Sequence, residues 1–409
     1  MLRIVYILFF VFIGFAASAQ LNNAWIDYSK TYYKFKLASN KICRIPQSTL
    51  AGAGLASVNA DHFQLWRNGS EVRLFTSVSN APLGASDFIE FAAQFNDGKA
   101  DNELYRNPDF QLADKYSLET DTSTYFLTVN NASANLRYQS LVNNAPVAQT
   151  PDAYFMRKAE MYYKDDINRG DARSLGELVY SSSYDMGEGW STGWIESCCS
   201  LDKTFPDLHM YNSAPANSMA LNVNLAGISA NSRNISVKLN GTELTVAPYG
   251  SAVSFSNFNY RKLSFSNLPL SILNNNTAAS ISVKSTSSNS FDKIVVASVV
   301  LTYPSEFNFS GDSVFSFQLD ANAAGNYLVI DNFNFNGLQP VLYDQTNGYR
   351  LLGEISSTPG QVKFTLPASI QPRNMLLLSQ QNTLQVSNII TRNFVNYNTT
   401  SNQIGRAHV

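Results

Sequence analysis

The most distinctive chemical cluster in the chain is Gly187-Glu188-Gly189-Trp190, which follows Tyr184-Asp185 and precedes Trp194 and Glu196. A carboxylate flanked by glycines beside an indole can shape a sugar-binding loop or the edge of a glycosidase site. Hydrolysis would need a second carboxylate at a fixed separation, and spacing along the chain does not supply one. The same residues also spell a tight turn over a buried tryptophan. Asp185, Gly187, Glu188, Gly189 and Trp190 are therefore expected to form an interaction or structural cluster, not a catalytic one.

Nucleophilic catalysis by Ser or Cys needs a base within hydrogen-bond reach, usually a histidine held by a third group. The chain has three histidines and three cysteines. Cys198 and Cys199 lie near His209 in sequence, but a turn-rich stretch between them sets no geometry. His62 follows Asp61 at the start of an expected strand, the place of a surface or turn histidine. No catalytic residue is expected. Asn96 to Glu103 (NDGKADNE) concentrates oxygen ligands. A calcium loop alternates its ligands and closes on a spaced bidentate Glu, a pattern this segment does not complete, so an Asx-type turn is expected there. Zinc-ligand spacing, a phosphate-cradling glycine loop and a dinucleotide fingerprint are all missing, and no metal or cofactor is expected.

The elements that must position these residues are strands. Tyr (21) and Phe (26) are abundant, and Asn, Ser, Thr and Gly recur between short runs of alternating apolar residues. Tyr32 to Leu37, Phe63 to Arg67 and Ile235 to Leu239 read as strands, the last two followed by Asn68-Gly69 and Asn240-Gly241. Asn-Gly tolerates the positive φ values of a two-residue hairpin turn. Further strands are expected at 280–285, 293–303, 313–319, 327–330 and 361–366, with helix the minority state.

A length of 409 residues leaves room for two or three domains. Proline-containing, turn-rich stretches at 142–152 and 303–305 weaken the strand rhythm, because proline cannot donate to a ladder. The expected division is a first β domain at 20–147, a β-sandwich at 148–305 and a third β domain at 306–403. The fold class is thus mainly β, tandem sandwich-like domains after a signal peptide. Residues 1–19 carry Arg3, an apolar run from Ile4 to Phe15 and Ala17-Ser18-Ala19, the layout of a secretory signal. The apolar run is shorter than the roughly 20 residues of a spanning helix.

Export would place the thiols in an oxidising space. Adjacent cysteines rarely bond each other, so either Cys43 pairs with Cys198 or Cys199, or the thiols stay free as small hydrophobes. With 29 Lys+Arg against 31 Asp+Glu there is no basic field to hold a phosphate backbone, and nucleic acid is excluded as a partner. The last residues, Ile404 to Val409 (IGRAHV), read as an in-frame sequencing adapter. That reading makes the chain a truncated one and removes His408 from functional argument.

Several strings, in order, resemble the region upstream of the peptidase domain in gingipain-type cysteine peptidases, specifically the PorU-like sortases of the type IX secretion system. They are WIDYSKTYYKFKL (25–37), ICRI (42–45), FIEF (88–91) leading into NDGKADNELYRNP (96–108), TDTSTYFLT (120–128), YDMGEGW (184–190), VVLTYP (299–304) and VLYDQTNG (341–348). The resemblance implies β domains preceding a caspase-like domain, in which a His-activated Cys cleaves the C-terminal sorting domains of cargo. Neither family catalytic residue has a counterpart here, since Cys198, Cys199 and His209 fall in the β region. The implied partners are the missing peptidase domain in cis, with type IX cargo or outer-membrane components. The implied location is the periplasm, outer membrane or cell surface. The alternative is a secreted surface adhesion or carbohydrate-binding β protein, in which Trp66, Trp190 or Trp194 would stack on sugar rings.

Overall fold

The alternating segments singled out in the sequence form strands. Tyr32–Leu37 and Phe63–Arg67 are strands at the expected bounds, and Ser232–Leu239, Ala279–Ser285, Lys293–Ser305 and Val362–Leu366 overlap theirs. Asn68 and Gly69 sit at φ 47° and 75°, and Asn240 and Gly241 at 46° and 76°. Both residues of each pair occupy the left-handed region that the hairpin turn demands. This computed structural model describes residues 23–131, 135–144, 149–174, 177–179, 184–245, 253–274 and 277–396. The expected signal peptide, the adapter-like tail and His408 lie outside them.

The fold is mainly β, with separate sheets facing one another in sandwich-like units, and one α-helix (Gln47–Gly52) among the described residues. In the first unit, a sheet built from Tyr32–Leu37, Ser123–Val129, Phe63–Arg67 and Ser70–Val72 faces one built from Ile42–Pro46, Phe88–Ala92 and Phe75–Thr76. Phe35, Ile45, Phe63, Leu65, Phe91 and Tyr125 fill the space between. In the middle unit, Phe155–Tyr162, Lys293–Ser305, Met219–Gly227 and Tyr260–Leu268 form one sheet. Leu201–Phe205, Ala279–Ser285, Ser232–Leu239 and Val253–Ser256 form the other. Leu221, Val223, Val237, Val283, Val299 and Leu301 lie in their shared core. The third unit pairs Val314–Leu319, Arg373–Leu378, Val341–Asp344 and Tyr349–Leu352 against Asn326–Ile330 and Val362–Leu366.

Pairing crosses the expected domain limits. Gln139–Leu141 runs parallel to Tyr349–Leu352 of the third unit. Leu384–Gln385 and Ile390–Arg392 return to the first unit, where they extend both of its sheets. Composition marks where strands form, whereas a ladder partner is any edge with open N–H and C=O groups. Nor does Pro304 end its strand. It pairs opposite Met156, and its carbonyl accepts from Tyr211 N at 3.0 Å, since proline removes only the donor.

The first and third units meet over a buried apolar and ionic junction. Ile42, Tyr138, Val341, Tyr343, Leu376 and Leu378 form its apolar part. At its centre the almost fully buried Glu90 carboxylate accepts from Arg44 Nε at 2.5 Å and from the Tyr343 hydroxyl, with Arg350 Nε 3.5 Å away. Burial, and then the Glu90 charge, hold the Tyr343 phenol well above its ordinary range. Glu90 belongs to the FIEF string and Tyr343 to VLYDQTNG, so two short motifs far apart in sequence close one contact.

Candidate functional site

The middle unit's first sheet buries one face in the core, and the other is covered by Leu112 and Ala113 at one end and faces a cleft at the other, with strand periodicity deciding which residues face out. Along Met219–Gly227 the odd positions Leu221 and Val223 enter the core, while Asn222 and Asn224 are only partly buried. Register carries the outward row across the sheet. Asn222 lies opposite Ser264 and Val300, and Asn224 opposite Lys262 and Ser298. Val300 and Ser298 in turn face Glu160 and Tyr162 on the edge strand. The result is a polar floor.

The first unit's Gln94 to Lys99 stretch and the third unit's Ser316 and Gln345 rise beside this floor, enclosing a cleft of about 670 Å³ where all three units meet. Its charged side chains have partners, some of opposite charge and some neutral. Lys115 pairs with Glu160 and lies 4.8 Å from the Tyr162 ring centroid, and Tyr162 donates to Asp114 Oδ1 at 3.1 Å. Lys99 pairs with Asp97 at 3.0 Å, and Lys158 donates to Gln318 at 3.0 Å. Lys262 bonds Asp109 at 3.0 Å, and that hydrogen bond leads the causes holding the Asp109 carboxyl below its ordinary value. Burial, followed by the Asp114 and Glu160 charges, raises the Tyr162 phenol. Paired charges and a hydroxyl-and-amide floor suit an extended polar chain, whose own N–H and C=O groups need partners.

Two loops singled out separately in the sequence come together beside this cleft. Gly187 N donates to Phe110 O at 2.8 Å, Leu112 N to Glu188 O at 3.0 Å and the Tyr105 hydroxyl to Glu188 O at 3.2 Å. Trp190 Nε1 donates to Ser117 O at 2.9 Å. The backbone approach needs glycine at two positions. Gly187 sits at φ 78°, and a Cβ on Gly189, at φ 156°, would stand 3.0 Å from Ala113 N. Asp185 and Glu188 are both buried, and Glu188 Oε2 accepts from Asp185 N at 2.8 Å. Burial raises the Glu188 carboxyl. The cluster joins the first unit to the middle one.

In the loop at 96–103, Asn96 and Asp97 cap Asx turns onto Gly98 N and Lys99 N. Asp101 turns inward to accept from Ser117 Oγ at 2.7 Å and Leu118 N at 3.1 Å. Among the described residues no group of three or more His, Cys, Asp or Glu could hold a metal ion.

The three thiols are free and do not share a neighbourhood. Cys43 is buried in the first unit's core, and burial pushes its thiol up to about 12. Cys198 and Cys199 are exposed on the middle unit with their Sγ atoms 2.7 Å apart. A bridge to Cys43 is therefore not formed. His209 lies against Ser310, its Nε2 2.8 Å from Oγ. His62 ends a short 3₁₀ turn, and its carbonyl accepts from Asn130 N. Of the tryptophans, Trp66 packs against Trp25 with ring centroids 5.6 Å apart, and Lys293 Nζ stands 4.5 Å over the exposed Trp194 ring. Sequence reasoning missed the cleft floor, although Asn222 and Asn224 alternating with Leu221 and Val223 carried the signal.

No family model and no curated protein matches the chain. Among solved structures, it is similar to dimeric latent PorU from Porphyromonas gingivalis at 9% identity and a TM-score of 0.48, covering 90% of this chain. The match takes in 34% of that PorU chain, so the present chain spans about a third of its length. A carbohydrate-binding module in complex with calcium and xylotriose is similar over 36% of this chain and 98% of its own, at 11% identity and a TM-score of 0.21. A β-porphyranase of glycoside hydrolase family 86 from Bacteroides plebeius is similar over 67% of this chain and 34% of its own, at 11% identity and a TM-score of 0.19.

Proposed function

We propose that the chain is the non-catalytic N-terminal platform of an exported gingipain-type cysteine peptidase of the type IX sortase kind, with the cleft between its three units receiving an extended segment of cargo. One observation carries this reading. Four of the strings that resemble the family meet in pairs across contacts between units, and two others pair within the first unit. FIEF reaches VLYDQTNG through Glu90 and Tyr343, and the stretch around NDGKADNELYRNP meets YDMGEGW through Tyr105 and Glu188. WIDYSKTYYKFKL pairs with TDTSTYFLT from Tyr32 opposite Thr128 to Leu37 opposite Ser123. A motif set serving only separate domains would have no reason to concentrate at their contacts. A platform must hold several units in one arrangement, and for that the contacts are the critical part.

Sequencing the genomic reading frame beyond the Gln403 codon tests the parentage. The expected result is continuation into an α/β segment bearing a His and a Cys; a stop codon directly after the β region would refute it.

A further inference from the structure

A second concavity lies at the seam between the middle and third units, a shallow depression of about 790 Å³ rimmed by the turns around His209, Ser310, Asn334 and Gly360. Five non-glycine residues on its rim hold left-handed backbone: Asp207 (φ 50°), His209 (48°), Ser310 (53°), Asn332 (51°) and Asn336 (53°). Such conformations cost of order 1 kcal/mol or more each for non-glycine residues, and they persist where surrounding contacts over-determine them. Those contacts are present. Glu306 N donates to His209 O at 2.8 Å, Gly311 N to Asn332 O at 2.6 Å, Phe333 N to Gly360 O at 2.9 Å and Asn334 N to Asp312 O at 2.9 Å.

Fixing the turns uses one end of the amide side chains. Asn308 Oδ1 accepts from Ser310 N and Asn334 Oδ1 from Asn336 N, both at 3.1 Å. The NH2 donors of Asn308 and Asn334 stay available at the rim, beside the His209–Ser310 pair. Phe335, partly buried against the third core, supplies a ring.

Charge narrows the ligand. Among the described residues lining the depression the sole carboxylate is Asp207, and none is a lysine or arginine. A phosphate or carboxylate would find no counter-charge, and a divalent cation would find one carboxylate where it needs several oxygen ligands. A wholly apolar ligand would leave the amides and hydroxyl desolvated without partners. Neutral sugars answer every group at once, with hydroxyls that both donate and accept and C–H faces that fit an aromatic ring.

We propose that this depression binds a short run of neutral sugar residues, with Phe335 as the ring platform and Asn308, Asn334, Ser310 and His209 making the polar contacts. The site is separate from the three-unit cleft and does not depend on the platform reading.

Isothermal titration of the full chain with maltohexaose, cellohexaose, xylohexaose and chitohexaose, and with hexagalacturonate as an acidic comparator, tests it. At least one neutral hexamer should bind saturably, and Asn334→Ala and Phe335→Leu should each weaken it by roughly tenfold, the loss of one good polar or ring contact. Phe291→Ala, exposed on the middle unit and outside the depression, should leave the affinity unchanged. Far-UV circular dichroism confirms folding of each variant, and both substituted side chains sit on the rim, outside the ladders. The proposal is overturned by no saturable binding of any neutral hexamer, by tighter binding of hexagalacturonate, or by binding that neither rim substitution weakens.

Discussion

Replacing Glu90 with glutamine should loosen the contact between the first and third units without emptying it. The side chain keeps its volume, so the apolar packing of Ile42, Tyr138 and Leu376 is retained and the loss is electrostatic. What disappears is the acceptor charge facing Arg44 at 2.5 Å and Arg350 at 3.5 Å, in a site where Glu90 is 1% exposed and the Arg350 side chain 9%. Water has little access to replace it. Breaking a buried pair by removing one partner typically costs about 3 to 5 kcal/mol, because the other charge is left uncompensated. Arg44, with 17% of its side chain exposed, can recover part of its hydration, which places the expectation toward about 3 kcal/mol. Urea unfolding read by amide hydrogen exchange suits the assay, since a multi-unit chain need not unfold in two states. Protection should fall first along Val341–Asp344 and Phe88–Ala92, the strands that carry Tyr343 and Glu90. Arg350→Met added to Glu90→Gln should cost less than the two single losses summed. A Glu90→Gln destabilisation under about 1 kcal/mol, at the level of an exposed pair, would refute the argument that this junction is ionic and dry.

Other outcomes follow from the buried titrating groups. In the native protein Cys198 and Cys199 should react with a thiol reagent within minutes while Cys43 reacts only on unfolding, since burial raises its thiol from 9.0 to about 12; mass spectrometry of labelled peptides gives the count. Because that folded value lies above the unfolded one, the contribution of a neutral Cys43 is complete below pH 9.0 and is lost as pH rises toward 12, which Cys43→Ser should flatten in an alkaline unfolding curve. Asp292 shows the opposite sign. Burial would raise it, yet hydrogen bonds from Arg233, Ser285 and Ser229 hold it below 3.8, so its stabilisation is present above that pH and fades as pH falls through the depressed folded value. Asp292→Asn should remove that portion of the acid limb and destabilise the middle unit by about 3 kcal/mol at neutral pH, read by urea titration. Glu188→Gln should be near neutral or stabilising by up to about 1 kcal/mol at pH 7, because the amide keeps an oxygen for Asp185 N and removes a buried charge; a loss above about 2 kcal/mol in urea titration would contradict the assignment.

Strand positions were legible because they depend on local alternation and turn chemistry. Asn68-Gly69 and Asn240-Gly241 each determine a hairpin within a few residues. Partners across sheets were not legible, because they depend on which ladder edges remain open after the rest of the chain has paired. That is why Gln139–Leu141 and Ile390–Arg392 lie in sheets other than those their neighbours in sequence suggested. The glycine-flanked Glu188 was recognisable as a turn, but its partners on Leu112 and Tyr105 depend on two units meeting. The depression beside His209 gave no sequence signal for the same reason, being assembled from turns more than 100 residues apart with no shared motif.

The return of Leu384–Gln385 and Ile390–Arg392 to the first unit affects how the molecule is made. Two edges of the first of the three units, Tyr32–Leu37 and Ile42–Pro46, wait for strands encoded near the end of the described chain. During vectorial emergence from a ribosome those edges stay unpaired while the middle sandwich, whose strands are all local to 155–305, is free to collapse alone. The opening segment must then be kept from pairing elsewhere until the closing one arrives. Of the three units described, the one that starts first is the last to have its sheets closed.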